Sequence, residues 1–173
     1  MTIGIIVNYR SPVKKNLCIK KRRLFLQPII YGSAVWGDYD NDTYLDILLT
    51  GSGVSKIYRN NGDYTFTEQD AIILPGVEYS SAAWGDYDND GDLDILLTGG
   101  NTAGAISKVY RNNGNGTFTD INAGLMGVYN SSAAWGNYDN DGYLDILLTG
   151  STDICNVYLQ SKIYRNNGNG TFT

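Results

Sequence analysis

The chain has 173 residues, enough for one ordinary domain, and its 42% hydrophobic and 12% aromatic content suits a protein that buries a core rather than a disordered tail. It holds no histidine, which removes a histidine general base, a Ser-His-Asp or Cys-His arrangement and a histidine-ligated zinc site, so a noncatalytic protein is expected. The formal charge of −5 is uneven: residues 1–32 carry seven basic residues and no acid, which leaves −12 for residues 33–173, a body that repels nucleic acid and attracts cations.

Residues 1–23 form a basic segment that matches nothing downstream. Lys20, Lys21, Arg22 and Arg23 precede Leu24-Phe25-Leu26, but Gln27 and Pro28 interrupt that run, so no clear signal peptide is read here. Four consecutive charges are expected to be solvated. No apolar stretch approaches the ~18 residues a membrane span requires. Cys18 and Cys155 lie far apart and form no disulfide framework or metal pattern.

From residue 24 the chain reads as three repeats, at about 24–75, 76–126 and 127–173. Trp36, Trp84 and Trp135 mark them at intervals of 48 and 51 residues, a period that suits a four-stranded propeller blade. The first strand is expected at 33–36, 81–84 and 132–135, where small residues let chains crowd near an axis. The second falls at 45–50, 93–98 and 144–149, where consecutive Ile-Leu-Leu implies a strand covered on both faces. The third is marked by Lys56-Ile57-Tyr58-Arg59, Lys108-Val109-Tyr110-Arg111 and Lys162-Ile163-Tyr164-Arg165, alternating charged and apolar residues toward the rim. Asn-Asn-Gly then turns the chain at residues 60, 112 and 166 into a short outer strand at 64–67, 117–119 and 171–173. Residues 102–105 and 153–160 lengthen the connection between second and third strands. With 21 glycines against three prolines and no helical periodicity, the fold class is all-β, with almost no helix. Three blades cannot close a ring of roughly four to eight, so the expectation is a partial propeller, a piece of a longer one, or a propeller completed by homo-oligomerisation.

Between first and second strands each repeat carries D-x-D-x-D-G-x-x-D, with side-chain oxygens at positions 1, 3, 5 and 9 and a backbone carbonyl at 7. Calcium takes six to eight oxygens at ~2.3–2.6 Å, and alternate carboxylates on a tight turn supply them locally. In the second repeat the donors are Asp86, Asp88, Asp90 and Asp94 with the Asp92 carbonyl, and Gly91 makes the turn. The first has Asp38, Asp40, Asp42, the Tyr44 carbonyl and Asp46, but Thr43 stands at the glycine position, costing about 1 kcal/mol if that backbone is left-handed. The third has Asn137, Asp139, Asp141, the Tyr143 carbonyl and Asp145, one charge fewer. The second loop is therefore expected to bind most tightly, with up to three Ca2+ per chain. The bland alternative is a set of Asx turns with solvated acids, disfavoured because unpaired carboxylates this close repel.

The loop starts as an EF-hand loop does but has Leu49, Leu97 and Leu148 at position twelve, and its ninth residue sits in a strand rather than a helix. The tryptophans are expected in the core. Tyr39, Tyr87 and Tyr138 could face solvent or a glycan, and the Lys56/Arg59, Lys108/Arg111 and Lys162/Arg165 pairs are read as blade-surface ion partners.

On residues 82–97, Ala-Ala-Trp-Gly-Asp-Tyr-Asp-Asn-Asp-Gly-Asp-Leu-Asp-Ile-Leu-Leu, closed by Tyr110-Arg111-Asn112-Asn113-Gly114-Asn115-Gly116-Thr117-Phe118, the chain resembles the FG-GAP/VCBS repeats of integrin α-chain-like β-propellers. The resemblance covers about 33–173. It implies a propeller, commonly seven-bladed, with calcium loops on one face and roles in adhesion, extracellular recognition or, in fungal relatives, sugar binding. The expected function is a calcium-braced module for a protein or glycan ligand outside the cell or at its surface. A lectin-like propeller and an accessory region of a larger secreted enzyme are the alternatives.

Overall fold

A computed structural model describes residues 5–7, 22–24, 26–155 and 157–173 of the chain. In the N-terminal segment, β1 (Ile5–Val7) pairs antiparallel with β2 (Arg22–Leu24), Ile5 opposite Leu24. Cys18 lies outside the described residues, and Cys155 is a free, exposed thiol.

Three antiparallel sheets follow. The first contains β3 (Ser33–Gly37), β4 (Asp46–Gly51), β5 (Val54–Asn60) and β6 (Phe66–Glu68) in chain order. The second contains β7 (Glu78–Gly85), β8 (Asp94–Asn101), β9 (Gly104–Asn112) and β10 (Phe118–Asp120), and the third β11 (Tyr129–Gly136), β12 (Asp145–Ser151) and β13 (Leu159–Tyr164). The register is the same each time: Trp36 faces Ile47, Trp84 faces Ile95 and Trp135 faces Ile146, with Gly-Asp pairs closing the ladder beside the acidic loop. No helix occurs among the described residues, so none is long and apolar enough to cross a membrane.

Two expectations need correction. Residues 102–105 do not make a longer loop, because Gly104 and Ala105 pair with Asn101 and Gly100 and extend the hairpin, leaving a two-residue turn. The third blade has three strands rather than four. Its last residues return as one Asn166–Phe172 bridge, with Arg165 and Thr173 exchanging N–H···O bonds of 2.7 and 2.9 Å, one bridge being too short to form a ladder.

The Ile-Leu-Leu strands are covered on both faces because each sheet lies between neighbours. In one core, Leu48 and Ile57 of the first blade meet Ile95 and Leu97 of the second; in the next, Leu96 and Val109 of the second meet Ile146 and Leu148 of the third. The other face of the first blade, Ile47 and Leu49, packs on Leu26 and Ile29. Those two occupy the repeat positions of Leu74 and Val77, so the packing pattern begins at Leu26. The third blade lacks a successor among the described residues, and Leu147 is 51% exposed where Leu48 and Leu96 are fully buried.

Candidate metal centre in the acidic loops

Each loop is folded by its own carboxylates. Asp38 Oδ1 and Oδ2 accept from the backbone N–H of Asp42 and Thr43 at 3.0 and 2.8 Å, and Asp86 does the same with Asp90 and Gly91 at 3.0 Å each. Asn137, with one carbonyl oxygen, accepts only from Asp141 at 3.1 Å. The fifth-position acids Asp42, Asp90 and Asp141 cap the N–H two residues on, at Tyr44, Asp92 and Tyr143. Thr43 takes the left-handed conformation, φ 75°, where Gly91 and Gly142 take 93° and 95°. A β-branched residue is strained there, as the Thr-for-Gly difference implied.

The ninth-position acids do more than the sequence suggested. Asp94 is fully buried; its Oδ2 accepts from Tyr87 N–H at 3.0 Å and its Oδ1 from Asn112 N–H at 2.8 Å, joining the loop to the third strand. Asp46 holds Tyr39 and Asn60 in the same way at 3.1 and 2.7 Å, and Asp145 holds Tyr138 and Asn166 at 3.0 and 2.8 Å. These carboxylates staple the loop to its blade, and their remaining lone pairs stay free to meet a cation.

Two groups of acids are gathered closely enough to share one ion: Asp38, Asp40 and Asp42, and Asp86, Asp88 and Asp94, each with oxygens within 4.8 Å of one another. Inside them Asp40 Oδ1 and Asp88 Oδ1 are buried and have no hydrogen-bond partner. A carboxylate oxygen out of water without a donor is costly, and a hard cation is the partner such a donor set fits. Arginines from the third strand also reach the loops. Arg59 pairs with Asp40 and Asp42, and Arg165 with Asp139 and Asp141 at 2.6 and 2.9 Å, so the expected surface ion partners turn out to be the loop acids themselves. Lys56 and Lys108 pair instead with Glu68 and Asp120 on the outer strands. In the second repeat Arg111 donates to Asn113 at 3.2 Å, leaving Asp88 and Asp90 without a guanidinium ion pair among the described residues.

Burial pushes the Asp46 carboxyl up to about 6 and the Asp94 carboxyl up to about 7, against the downward pull of their backbone N–H donors. Burial and the neighbouring Asp90 and Asp86 raise Asp88 as well. Asp139 and Glu68 are held low by Arg165 and Lys56 and so titrate below that range. Metal-stripped protein therefore binds more protons folded than unfolded between about pH 4 and pH 7, and this contribution to stability is full below that window and lost as pH rises through it. Thermal unfolding in chelator is expected to give a lower Tm near about pH 8 than near about pH 5; a Tm that climbs across the interval would contradict the burial of these acids.

The residues between the ligands face the next blade. Tyr39 and Tyr87, which the sequence left open to solvent or glycan, are buried and stacked on Trp84 and Trp135 of the following blade, with centroids 6.1 and 6.2 Å apart and planes 11° and 10° apart. Phe118 and Phe172 complete each aromatic cluster. Gly37 and Gly85 leave room for those indoles: a Cβ on either would lie 2.5 Å from the Cδ1 of Trp84 or Trp135. Among the described residues Tyr138 meets no following blade and is 57% exposed, and Trp36 meets no preceding one and is 55% exposed, which corrects its core assignment.

Asparagines tie the blades together. Asn112 Nδ2 donates to the Tyr39 carbonyl and Asn166 Nδ2 to the Tyr87 carbonyl, both at 2.8 Å and buried. Asn41 and Asn89, left-handed at φ 59° and 60°, donate into the next acidic loop, at Asp92 Oδ1 and the Gly142 carbonyl. The sequence reading gave the first pair only a turn role and the second pair none. Their recurrence at one place in each repeat was the available signal.

The profile of the FG-GAP-like repeat matches residues 38–97 and 97–148. A solved structure of an Agrocybe aegerita lectin, described as specifically recognising non-reducing terminal N-acetylglucosamine, superposes with a TM-score of 0.56 at 24% identity over 83% of this chain and 37% of its own. At that identity the likeness speaks for fold alone, and the fold is a partial β-propeller. The chain spans 37% of that lectin's length. No curated protein matches the chain.

Proposed function

The chain belongs to the FG-GAP-like repeat family, and from that premise we propose that it is a noncatalytic recognition module whose acidic loops bind calcium as a structural brace, acting outside the cell or at its surface. The single observation that carries calcium is the pair of buried, unpartnered oxygens, Asp40 Oδ1 and Asp88 Oδ1, each inside a group of three carboxylates. In the second loop Asp86, Asp88, Asp90 and Asp94 with the Asp92 carbonyl would hold the ion. In the others the sets are Asp38, Asp40, Asp42, Asp46 and the Tyr44 carbonyl, and Asn137, Asp139, Asp141, Asp145 and the Tyr143 carbonyl. A bound dication supplies charge neutralisation. The residues themselves fix the loop, which is why the second loop, whose acids form no guanidinium ion pair among the described residues, ranks first. Sites of this kind suit the millimolar calcium found outside cells.

Calorimetric titration is the test. Heat and a rising Tm are expected with calcium and much less with magnesium, which prefers a small octahedral shell with several waters, with up to three ions per chain and the tightest lost in Asp88→Ala. An unchanged Tm at saturating calcium would sink the reading.

A glycan is the ligand class that one further feature favours. At the opposite end of the first strands from the acidic loops, a groove of about 280 Å³ is lined by Tyr31, Tyr79, Ser80, Asn130 and Ser131. The rings of Tyr31 and Tyr79 stack 4.6 Å apart there with Tyr31 exposed, and an exposed aromatic surface is suited to a sugar. Screening on a glycan array that includes terminal N-acetylglucosamine, with Tyr31→Ala as control, would find the class or discard it.

A further inference from the structure

We infer that the open face of the third blade is a seat for Trp36 of a second copy of this chain, so that copies join head to tail through the contact that already joins blades within one chain. That contact occurs twice inside the molecule with the same parts. Trp84 lies on Gly37 and Tyr39, and Trp135 lies on Gly85 and Tyr87. The third blade presents the same parts uncovered among the described residues: Gly136, whose added Cβ would meet no atom within 4 Å, together with Tyr138, Leu147 and Ile163, around an apolar groove of about 290 Å³. Leu147 and Ile163 are 51% and 58% exposed, while their counterparts Leu48, Leu96, Ile57 and Val109 are at most 1% exposed.

The first blade carries the complementary part. Trp36 is exposed, and Phe66 stands 6.2 Å from it, at the place Phe118 and Phe172 take beside Trp84 and Trp135. Asn60 occupies the position of Asn112 and Asn166 and already donates to the Leu45 carbonyl, as those residues donate to Leu93 and Leu144. Its amide is placed to reach the Tyr138 carbonyl of another copy. One element is missing: Gly32 stands where Ser80 and Ser131 pair with Thr50 and Thr98, so this contact lacks the buried hydroxyl pair. The two faces differ from each other, so the interface is heterologous and repeats until a ring closes. Two copies of the three described blades bring six together, within the range of closed propellers.

Sedimentation velocity across the micromolar range tests it, with circular dichroism to confirm folding. The wild type is expected as a two-chain species, and Trp36→Ser and Gly136→Ala each as a single 19.0 kDa chain. Each variant keeps one intact face, so mixing them is expected to restore a dimer, at higher concentration because only one contact remains. A wild type that stays a single chain, leaving the seat to some other blade, would overturn the inference. A dimer that survives either substitution, or variants that fail to associate on mixing, would overturn it as well.

Discussion

Asp94→Ala is expected to lower the unfolding free energy by roughly 2–5 kcal/mol, in calcium and in chelator alike, because it strips the acceptor from two backbone N–H groups inside the fold. Those donors are Tyr87 and Asn112, and the carboxylate that serves them is fully buried. Asp88→Ala should behave in the opposite way. Asp88 has a buried oxygen with no partner, and its carboxyl is already pushed up by burial and by Asp90 and Asp86. Removing it relieves a desolvated charge, so in chelator the variant should be at least as stable as wild type, while the calcium-dependent rise in Tm shrinks. Urea unfolding of both variants, with and without calcium, separates an acid that staples the loop from one that waits for an ion. Equal losses in chelator would show that the loop acids share one role.

The contrast explains why spacing alone assigned these acids a single task. D-x-D-x-D-G-x-x-D states which oxygens lie near one another, and Asp86, Asp88 and Asp94 are indeed brought together. It does not state which oxygens are already occupied by backbone donors, since Asn112 lies 18 residues from Asp94 and is brought beside it only by strand pairing. The strands were legible for a local reason. A buried Ile-Leu-Leu run next to a turn-rich loop admits few conformations, and the periodic tryptophans set the phase of each sheet. What escaped was the contact between repeats. Asn112 reaches Tyr39 over 73 residues and Asn166 reaches Tyr87 over 79, and a reading made within one repeat has no view of the neighbouring sheet. The same blindness left Tyr39 and Tyr87 open to solvent and put Trp36 in the core. A residue facing the next blade is buried or exposed according to whether that blade is there, and three nearly identical segments give three different exposures.

The glycine after each tryptophan turns that dependence into a measurement. Gly85→Ala is expected to destabilise by about 1–3 kcal/mol, the ordinary cost of adding a methyl to a packed interface. The new Cβ would lie 2.5 Å from Cδ1 and 2.8 Å from Nε1 of Trp135, an indole held between Tyr87 and Phe172 and unable to retreat without breaking the stack. Gly37→Ala should cost a similar amount against Trp84. Gly136→Ala makes the identical chemical change at the same repeat position, yet its Cβ meets nothing within 4 Å. At concentrations too low for chains to associate it should therefore leave the Tm unchanged. Backbone preference cannot account for such a difference, since none of the three glycines has a positive φ, so the cost must come from the neighbouring blade. Equal destabilisation by all three substitutions would mean that the strand end itself requires glycine, and the stacking of Trp135 on the second blade would then lose its claim to organise the interface.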